Sequence, residues 1–529
     1  MFYDAQRGIV IYHVEQPQDF LQHVPKSGRL LNGYVYAPAD VDTLQAIRAL
    51  GLPVLPPLNQ GYDWPHGPHI QKPMAAQKVM ANFMAVHPRC FNLSDPGTGK
   101  TLAALWAADY LMQHSKERFR ALVVAPLSSL RDTWEQEINA NFLNRRSCSI
   151  LHGTEKKRME ELKRDVDFYI INVDGIKVGA RRDTRRSFIF EGLCAELRNR
   201  TDIRLIIFDE SSYFRDAQTA RSRIARALLS PRPMVWQMTG TPTPNGPEDA
   251  HGLVKLLKPW WQETKTSWRS STMLQVSQYE WRPRIGAAKL VAETLQPAVR
   301  FSLEQCVDLP PMITQTREVE LTPVQADMLR KLKNQLLMIM ADGKTVSAVH
   351  AAALRIKFLQ IISGAVYDDE HSAHAVPCGS RVSVLREVIE ESNDKLIVFA
   401  PFTSVVNMLS RTFKHYTHEV ITGATPEKKR ADIFARFRSE VAPRMIIADP
   451  GTMSHSLNLT IAKTIVWWAP TDKTETYLQA NRRVRRPGQD KPQRIVHLVS
   501  HQVEREIFRR LQTNTDLQNV MLGLIEQER

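Results

Sequence analysis

A single short segment carries the clearest chemical signal in the chain. Ser94-Asp-Pro-Gly-Thr-Gly-Lys-Thr101 follows the apolar run Arg89 to Leu93 and opens a helical stretch from Leu102 to Met112. Gly97 and Gly99, with Thr98 between them, let backbone N–H groups turn towards an anion, and the helix start adds positive potential. Lys100 would then reach β and γ phosphates, and Thr101 would hold Mg2+. Ser94 stands where the usual phosphate-loop pattern has its first glycine. Further on, Leu205-Ile-Ile-Phe-Asp-Glu210 is an apolar strand ending in two carboxylates. Such a strand would deliver Asp209 to the metal shell and leave Glu210 to polarise an attacking water. An acidic pair at a strand end is commonly just solvated; the phosphate loop upstream makes it a candidate for nucleotide hydrolysis.

Those residues need elements to hold them, and the sequence supplies a repeating pattern. Short runs rich in Val and Ile, each followed by a loop and a longer helical pattern, indicate parallel α/β architecture. The runs are Ala121 to Ala125, Phe168 to Asn172, Leu205 to Phe208 and Met234 to Met238, then Leu396 to Ala400, Arg444 to Ala448, Ile465 to Trp468 and Arg494 to Val499. They fall into two clusters, separated by a Trp-bearing stretch (Trp260, Trp261, Trp268, Trp281) and by helices between Leu321 and Ser363. Residues 1 to 68 form a separate small unit, with a strand at Tyr34 to Tyr36, a helix from Val41 to Leu50 and a Pro- and Gly-rich linker after it.

The 529 residues are 43% apolar and 24% charged, ordinary globular usage that argues against a disordered or fibrous chain. A net charge of +14 and a pI near 9.5 favour a polyanionic partner. Cys90, Cys148, Cys194, Cys306 and Cys378 are too scattered to suggest a disulfide framework or a zinc site. No run of about eighteen apolar residues occurs. The expectation is therefore a soluble, cytoplasmic protein without membrane association.

With these features in place the chain resembles the superfamily-two helicase-like ATPases, and among them the Swi/Snf-type DNA translocases. The most specific match is Gln479-Ala-Asn-Arg-Arg-Val-Arg-Arg-Pro-Gly-Gln489, similar to the family's last motif. The resemblance implies arginine fingers at Arg483 and Arg486, a nucleotide contact at Gln479, and nucleic-acid contacts at Arg482 and Arg485. Lys72-Pro73 with Gln77 resembles the adenine-reading segment. Val124-Ala-Pro-Leu-Ser-Ser129, followed by Trp134 and Glu135, resembles a strand-contacting motif and implies a contact at Ser128. Thr239-Gly-Thr-Pro242 resembles the motif that links hydrolysis to movement, with Thr239 and Thr241 as coupling residues and Thr243 as a nucleic-acid contact. Ile421-Thr422-Gly423, with Arg430 and Phe437, and the stretch Asp449 to Thr460, with Ser454, resemble further nucleic-acid segments. Leu309-Pro-Pro311, Glu320 to Gln325 and Lys357 to Gln360 are similar to the branch's linker and protrusion segments. Two departures stand out: Ser212 replaces the usual His after the acidic pair, and Arg215-Asp216 stands where Lys-Asn is usual.

The resemblance implies an α/β fold of two tandem RecA-like parallel-sheet lobes with helical protrusions. The expected boundaries are 69–258 for the first, ATP-binding lobe, 259–310 for a junction and protrusion, and 311–529 for the second lobe with its helical insertion. It implies an ATP- and Mg2+-dependent motor, in the cytoplasm of a bacterial or phage-infected cell, moving on duplex or branched DNA without sequence preference and gripping the backbone rather than the bases. Two other readings remain open at this stage: a strand-separating DNA helicase, and a nucleotide-gated DNA-binding scaffold. Arg181 to Arg186 reads as a DNA grip or a solvated loop, and the Trp-rich stretch as a stacking surface or core packing. The N-terminal unit is a candidate for duplex or junction binding.

Overall fold

The computed structural model describes the chain apart from residues 5–6, 68–71, 183–187, 230–231, 233, 277–280, 342–347, 454–458, 486–488, 490 and 528–529. Only the backbone is described at 182, 335–341, 348–352, 427, 453, 516–521 and 523–527. Two compact units emerge. One comprises Met1–Leu274, Pro283–Cys306 and Gln518–Arg529; the other comprises Gln275–Arg282 and Val307–Leu517.

The first unit is built on a seven-stranded sheet whose described pairings are all parallel. Its order is Ala298–Val299, Arg89–Asn92, Met234–Met238, Ile203–Asp209, Arg120–Ala125, Phe168–Asn172, Cys148–Leu151. Central strands read as unbroken apolar runs because both faces are covered, and their alternation decides which layer each residue joins. Leu122, Val124, Ile206 and Phe208 enter one core, whereas Ala121, Val123, Leu205 and Ile207 enter the core on the other face. The helix Lys100–His114 lies in the second of these cores and is buried along most of its length, from Leu102 to Leu111.

Residues 1 to 52 add a four-stranded antiparallel sheet, ordered Phe2–Asp4, Ile9–His13, Tyr34–Pro38, Gly28–Arg29. The helix Val41–Ala49 begins at Asp40, whose carboxylate accepts the Thr43 N–H at 2.9 Å, a normal N-cap. Val10, Tyr12, Phe20, Val35, Leu44 and Ile47 form the small core, which Val86 of the larger unit joins. The expected linker is not a free tether. Leu58 and Tyr62 are buried in the larger core, Trp106 Nε1 donates to the Pro65 carbonyl at 2.8 Å, and Tyr62 Oη donates to Asp109 Oδ2 at 2.7 Å. Each buried side chain of this size contributes roughly 1.5–3 kcal/mol, enough to hold the segment down.

The second unit is a six-stranded parallel sheet ordered Met312–Glu318, Gln493–Val499, Ala462–Trp467, Lys395–Phe399, Met445–Ala448, His418–Ile421. Leu396 and Val398 face one core, Ile397 and Phe399 the other. Buried Arg381 pairs with buried Glu504 at 2.8 Å, fixing the start of the last helix against the sheet. The helices Pro323–Ala341 and Ala348–Ser363 form the insertion that the sequence places between Leu321 and Ser363. The parallel-sheet α/β architecture expected from the sequence is present in both units.

Candidate nucleotide site

Four adjacent strands of the first sheet end at one level. Asn92 is in register with Met238, Met238 with Asp209, and Phe208 with Val124. Their outgoing loops therefore leave the carboxyl edge side by side, the edge where open parallel sheets bind ligands. The phosphate loop, Thr239, the acidic pair and the turn after Ala125 share that edge.

The loop itself is fastened at several points. Gly97 has φ +89° and Gly99 φ +79°, left-handed values that suit glycine. A Cβ at position 99 would collide with the side-chain amide of Gln77, so the two are interlocked. Gln77 is buried and its Oε1 accepts the Met74 N–H at 2.9 Å. Thr98 Oγ1 donates to the Asp95 carbonyl at 2.8 Å. Lys100 Nζ donates to the carbonyls of Ser94 and Asp95 at 2.7 and 3.1 Å, which holds the ammonium over the loop. Thr101 follows in the first turn of the helix. Ser94 is buried, and its hydroxyl accepts the Phe301 N–H at 3.0 Å. Asp95 pairs with Arg300 at 3.1 Å and accepts the Leu303 N–H at 3.1 Å. Ser94 is thus a fastener to the edge-strand segment, a role a glycine could not fill.

Asp209 ends its strand half-buried, and desolvation raises its carboxyl above the usual range. Three groups oppose that rise: Trp134 Nε1 donating to Oδ2 at 2.9 Å, the nearby Lys100 charge, and the Glu210 N–H donating to Oδ1 at 3.1 Å. Trp134 is wholly buried on a widened helical turn over Leu130–Glu135. Glu210 has left-handed backbone angles (φ +51°, ψ +56°), a strained conformation for a residue with a Cβ. Its Oε2 accepts from Thr239 Oγ1 at 3.3 Å, and Thr239 Oγ1 in turn accepts the Thr241 N–H at 3.1 Å. A hydrogen-bonded run Trp134–Asp209–Glu210–Thr239–Thr241 results, joining three of the four loops. Ser211 and Ser212 are both buried in the following turn.

Other expected residues are spread more widely. Ser128 lies in the turn after Arg120–Ala125, and Thr243 is buried beyond Thr241, its carbonyl accepting the Gly246 N–H at 3.2 Å. In the second unit Thr422 and exposed Gly423 follow His418–Ile421, and Thr425 Oγ1 accepts the Thr422 N–H at 3.0 Å. Gln479 sits in the helix Thr474–Asn481; Arg482, Arg483 and Arg485 come directly after it, with Arg483 buried. Ser454 and Arg486 lie outside the described residues. Of the tryptophans, Trp268 is core, its Nε1 donating to the Pro247 carbonyl at 3.0 Å, and Arg269 beside it pairs with Glu248. Trp260 alone among them is strongly exposed, at 63%.

Sequence reasoning missed what Arg300, Phe301 and Trp134 do. Each acts over 75 positions or more along the chain, and no local pattern reports such a contact.

Comparison with known proteins decides the family. The chain matches the SNF2-related domain over residues 77–363 and the helicase conserved C-terminal domain over residues 380–488. It belongs to the SNF2-related family. That membership makes it a DNA-stimulated ATPase of helicase-like type. This SNF2-related chain is 23% identical over 488 residues to putative protein p41 of Acyrthosiphon pisum secondary endosymbiont phage 1, covering 86% of the chain and 99% of that protein. It is 24% identical over 436 residues to the DNA annealing helicase and endonuclease ZRANB3 of Bos taurus, covering 78% of the chain but only 37% of the relative. Among solved structures, the Sulfolobus solfataricus SWI2/SNF2 ATPase core in complex with dsDNA covers 87% of the chain and 94% of its own, at 20% identity and a TM-score of 0.38. Among the described residues, no helix is long and apolar enough to cross a membrane.

Proposed function

We propose that this SNF2-related ATPase is a Mg2+-dependent DNA translocase that moves on duplex or branched DNA without reading its sequence. The observation that carries the reading is the hydrogen-bonded run from Asp209 through Glu210 and Thr239 to Thr241, because it ties the hydrolytic carboxylates to the neighbouring loop. The donors suit the cofactors: Gly97 to Thr101 offer amides and an ammonium to phosphate, and Thr101 with Asp209 offers hard oxygens to Mg2+. A bound divalent cation would supply charge neutralisation for the leaving phosphate and favour the ionised form of the half-buried Asp209. In this reading Lys100 binds the phosphates, Glu210 orients the attacking water, and Arg483 and Arg486 stabilise charge on the transferred group. Gln77 and Gln479 contact the nucleotide. Thr239 and Thr241 relay the state of Glu210 onward. Ser128, Thr243, Thr422, Gly423, Ser454, Arg482 and Arg485 line the DNA path, which the basic net charge favours. Residues 1–68 act as an accessory DNA-binding unit beside lobes spanning 69–258 and 311–529, joined through 259–310.

The test is ATP hydrolysis without nucleic acid and with single-stranded DNA, duplex DNA, forked DNA and RNA, with Lys100→Ala as control. Stimulation by duplex or forked DNA that the control abolishes is the expected result, and displacement of a triplex-forming strand would then report movement. Preference for single strands with strand separation would favour a helicase; turnover indifferent to nucleic acid would refute the motor.

A further inference from the structure

The N-terminal unit and the first sheet enclose a cleft of about 580 Å³ on their shared surface. This is within the size range of small-ligand sites. Arg48 and Gln45 of the helix Val41–Ala49 line one wall; His87, Arg89, Lys258 and Trp260 line the other. None of its lining residues is acidic.

These groups are held in place. Arg89 Nη1 donates to the Leu257 carbonyl at 3.0 Å and Nη2 to the Arg232 carbonyl at 2.8 Å, and its guanidinium lies 5.8 Å from the centre of the Trp260 ring. That stack supports one part of the indole while 63% of the residue stays open to solvent. Burial pushes the His87 imidazole down to about 4, so at neutral pH its Nδ1 donates to the Phe83 carbonyl and its Nε2 accepts from Arg48 Nε at 3.0 Å. Lys258 is half-buried, its ammonium spends one donor on the Thr294 carbonyl at 2.9 Å, and burial disfavours its charge. An anion in the cleft would relieve that cost.

We infer that the cleft takes one unpaired nucleotide of a DNA strand, its base against Trp260 and its phosphate between Arg48 and Lys258. A flat apolar face beside cations with no competing carboxylate is the chemistry that binds a base with its phosphate. The inference rests on the DNA-translocase reading and gives the N-terminal unit a task within it: it recognises the place where a duplex opens.

The test compares binding of the full-length protein, by fluorescence anisotropy without ATP, to a blunt duplex and to the same duplex carrying a single-stranded dT tail. Wild type should prefer the tailed DNA. Trp260→Ala and Arg48→Glu should each lower affinity for the tail on the order of ten-fold while leaving the blunt duplex unchanged. Trp260→Phe should keep most of the preference, and an abasic tail should lose it. Tail preference that survives Trp260→Ala, a loss shared equally by the blunt duplex, or an abasic tail that binds as well as dT would each overturn the inference. Saturable binding of free dTMP without any preference for tails would overturn it too. ATP hydrolysis on blunt duplex, measured in parallel, keeps the two readings apart: its absence would sink the motor and leave the binding comparison to stand or fall alone.

Discussion

Trp134→Phe tests the most specific physical claim about the site, that an indole N–H favours the ionised form of the half-buried Asp209 carboxylate. Phenylalanine keeps an aromatic ring in the wholly buried pocket but removes the donor that meets Asp209 Oδ2 at 2.9 Å. Hydrogen bonds to charged groups contribute about 1.5–3 kcal/mol. At 1.4 kcal/mol per factor of ten, the ionised carboxylate is disfavoured roughly ten- to hundred-fold in the variant. Desolvation already raises the Asp209 carboxyl and the Trp134 bond opposes that rise, so removing the bond moves it further up. The ionised form is then lost at a higher pH than in wild type as acid is added. The expected result is a higher half-saturating Mg2+ concentration and an acidic limb of the pH–rate profile displaced towards neutrality. Both are read from steady-state hydrolysis over a pH series, with thermal unfolding as the folding control. A variant that folds normally, yet keeps the wild-type pH profile and Mg2+ dependence, would refute the reasoning.

Three further outcomes follow from described contacts. Ser94→Gly restores the usual phosphate-loop residue but strips the Phe301 N–H of its acceptor, so urea unfolding should show a loss of about 1–3 kcal/mol and no gain in hydrolysis. Asp109→Ala leaves Arg146, whose Nε meets it at 2.6 Å, and Tyr62, at 2.7 Å, without their buried partner; about 3–5 kcal/mol should be lost, and the segment around Tyr62 should become the first site of limited proteolysis. His87 and His497 are held neutral by burial, with imidazoles pushed down to about 4 and about 3. Their unfolded forms take up protons near pH 6.5 while the native forms do not, so stability is full above that pH and falls towards pH 4 by about 1.4 kcal/mol per pH unit for each ring. Urea midpoints at pH 7.5, 6.0 and 5.0 check this, and a flat series, or the same slope in His497→Gln, would contradict it.

The legible parts of the fold are those where local pattern and burial coincide. Phe168–Asn172 and Met234–Met238 occupy the residues their apolar runs mark out, because a strand covered on both faces has no reason to alternate. Cys148–Leu151 and Met312–Glu318 went unread: both lie at sheet edges, and polar residues such as Ser149, Thr314 and Gln315 break their apolar character. Ala298–Val299 is too short to carry any period. At the site, Gly97, Lys100, Asp209 and Glu210 announce themselves by type and spacing, whereas the Arg300 and Trp134 partnerships exist only once the chain is folded. The Trp-rich stretch shows the same limit from the other side, since nothing local to Trp260 and Trp268 says that one faces solvent and the other the core.

If Gln77 contacts the base and the loop holds phosphate, as proposed, the interlock of Gln77 with Gly99 makes the two tasks one part. A ligand group that engages the Gln77 amide acts on a side chain already wedged against the loop's left-handed turn. Gln77 behaves as a pawl and the turn at Gly99 as the tooth it rests on. Shortening the pawl, as in Gln77→Ala, frees the tooth; adding a methyl to the tooth, as in Gly99→Ala, forces the pawl out. On the proposed roles, variants selected for altered nucleotide preference should carry paired changes at these two positions.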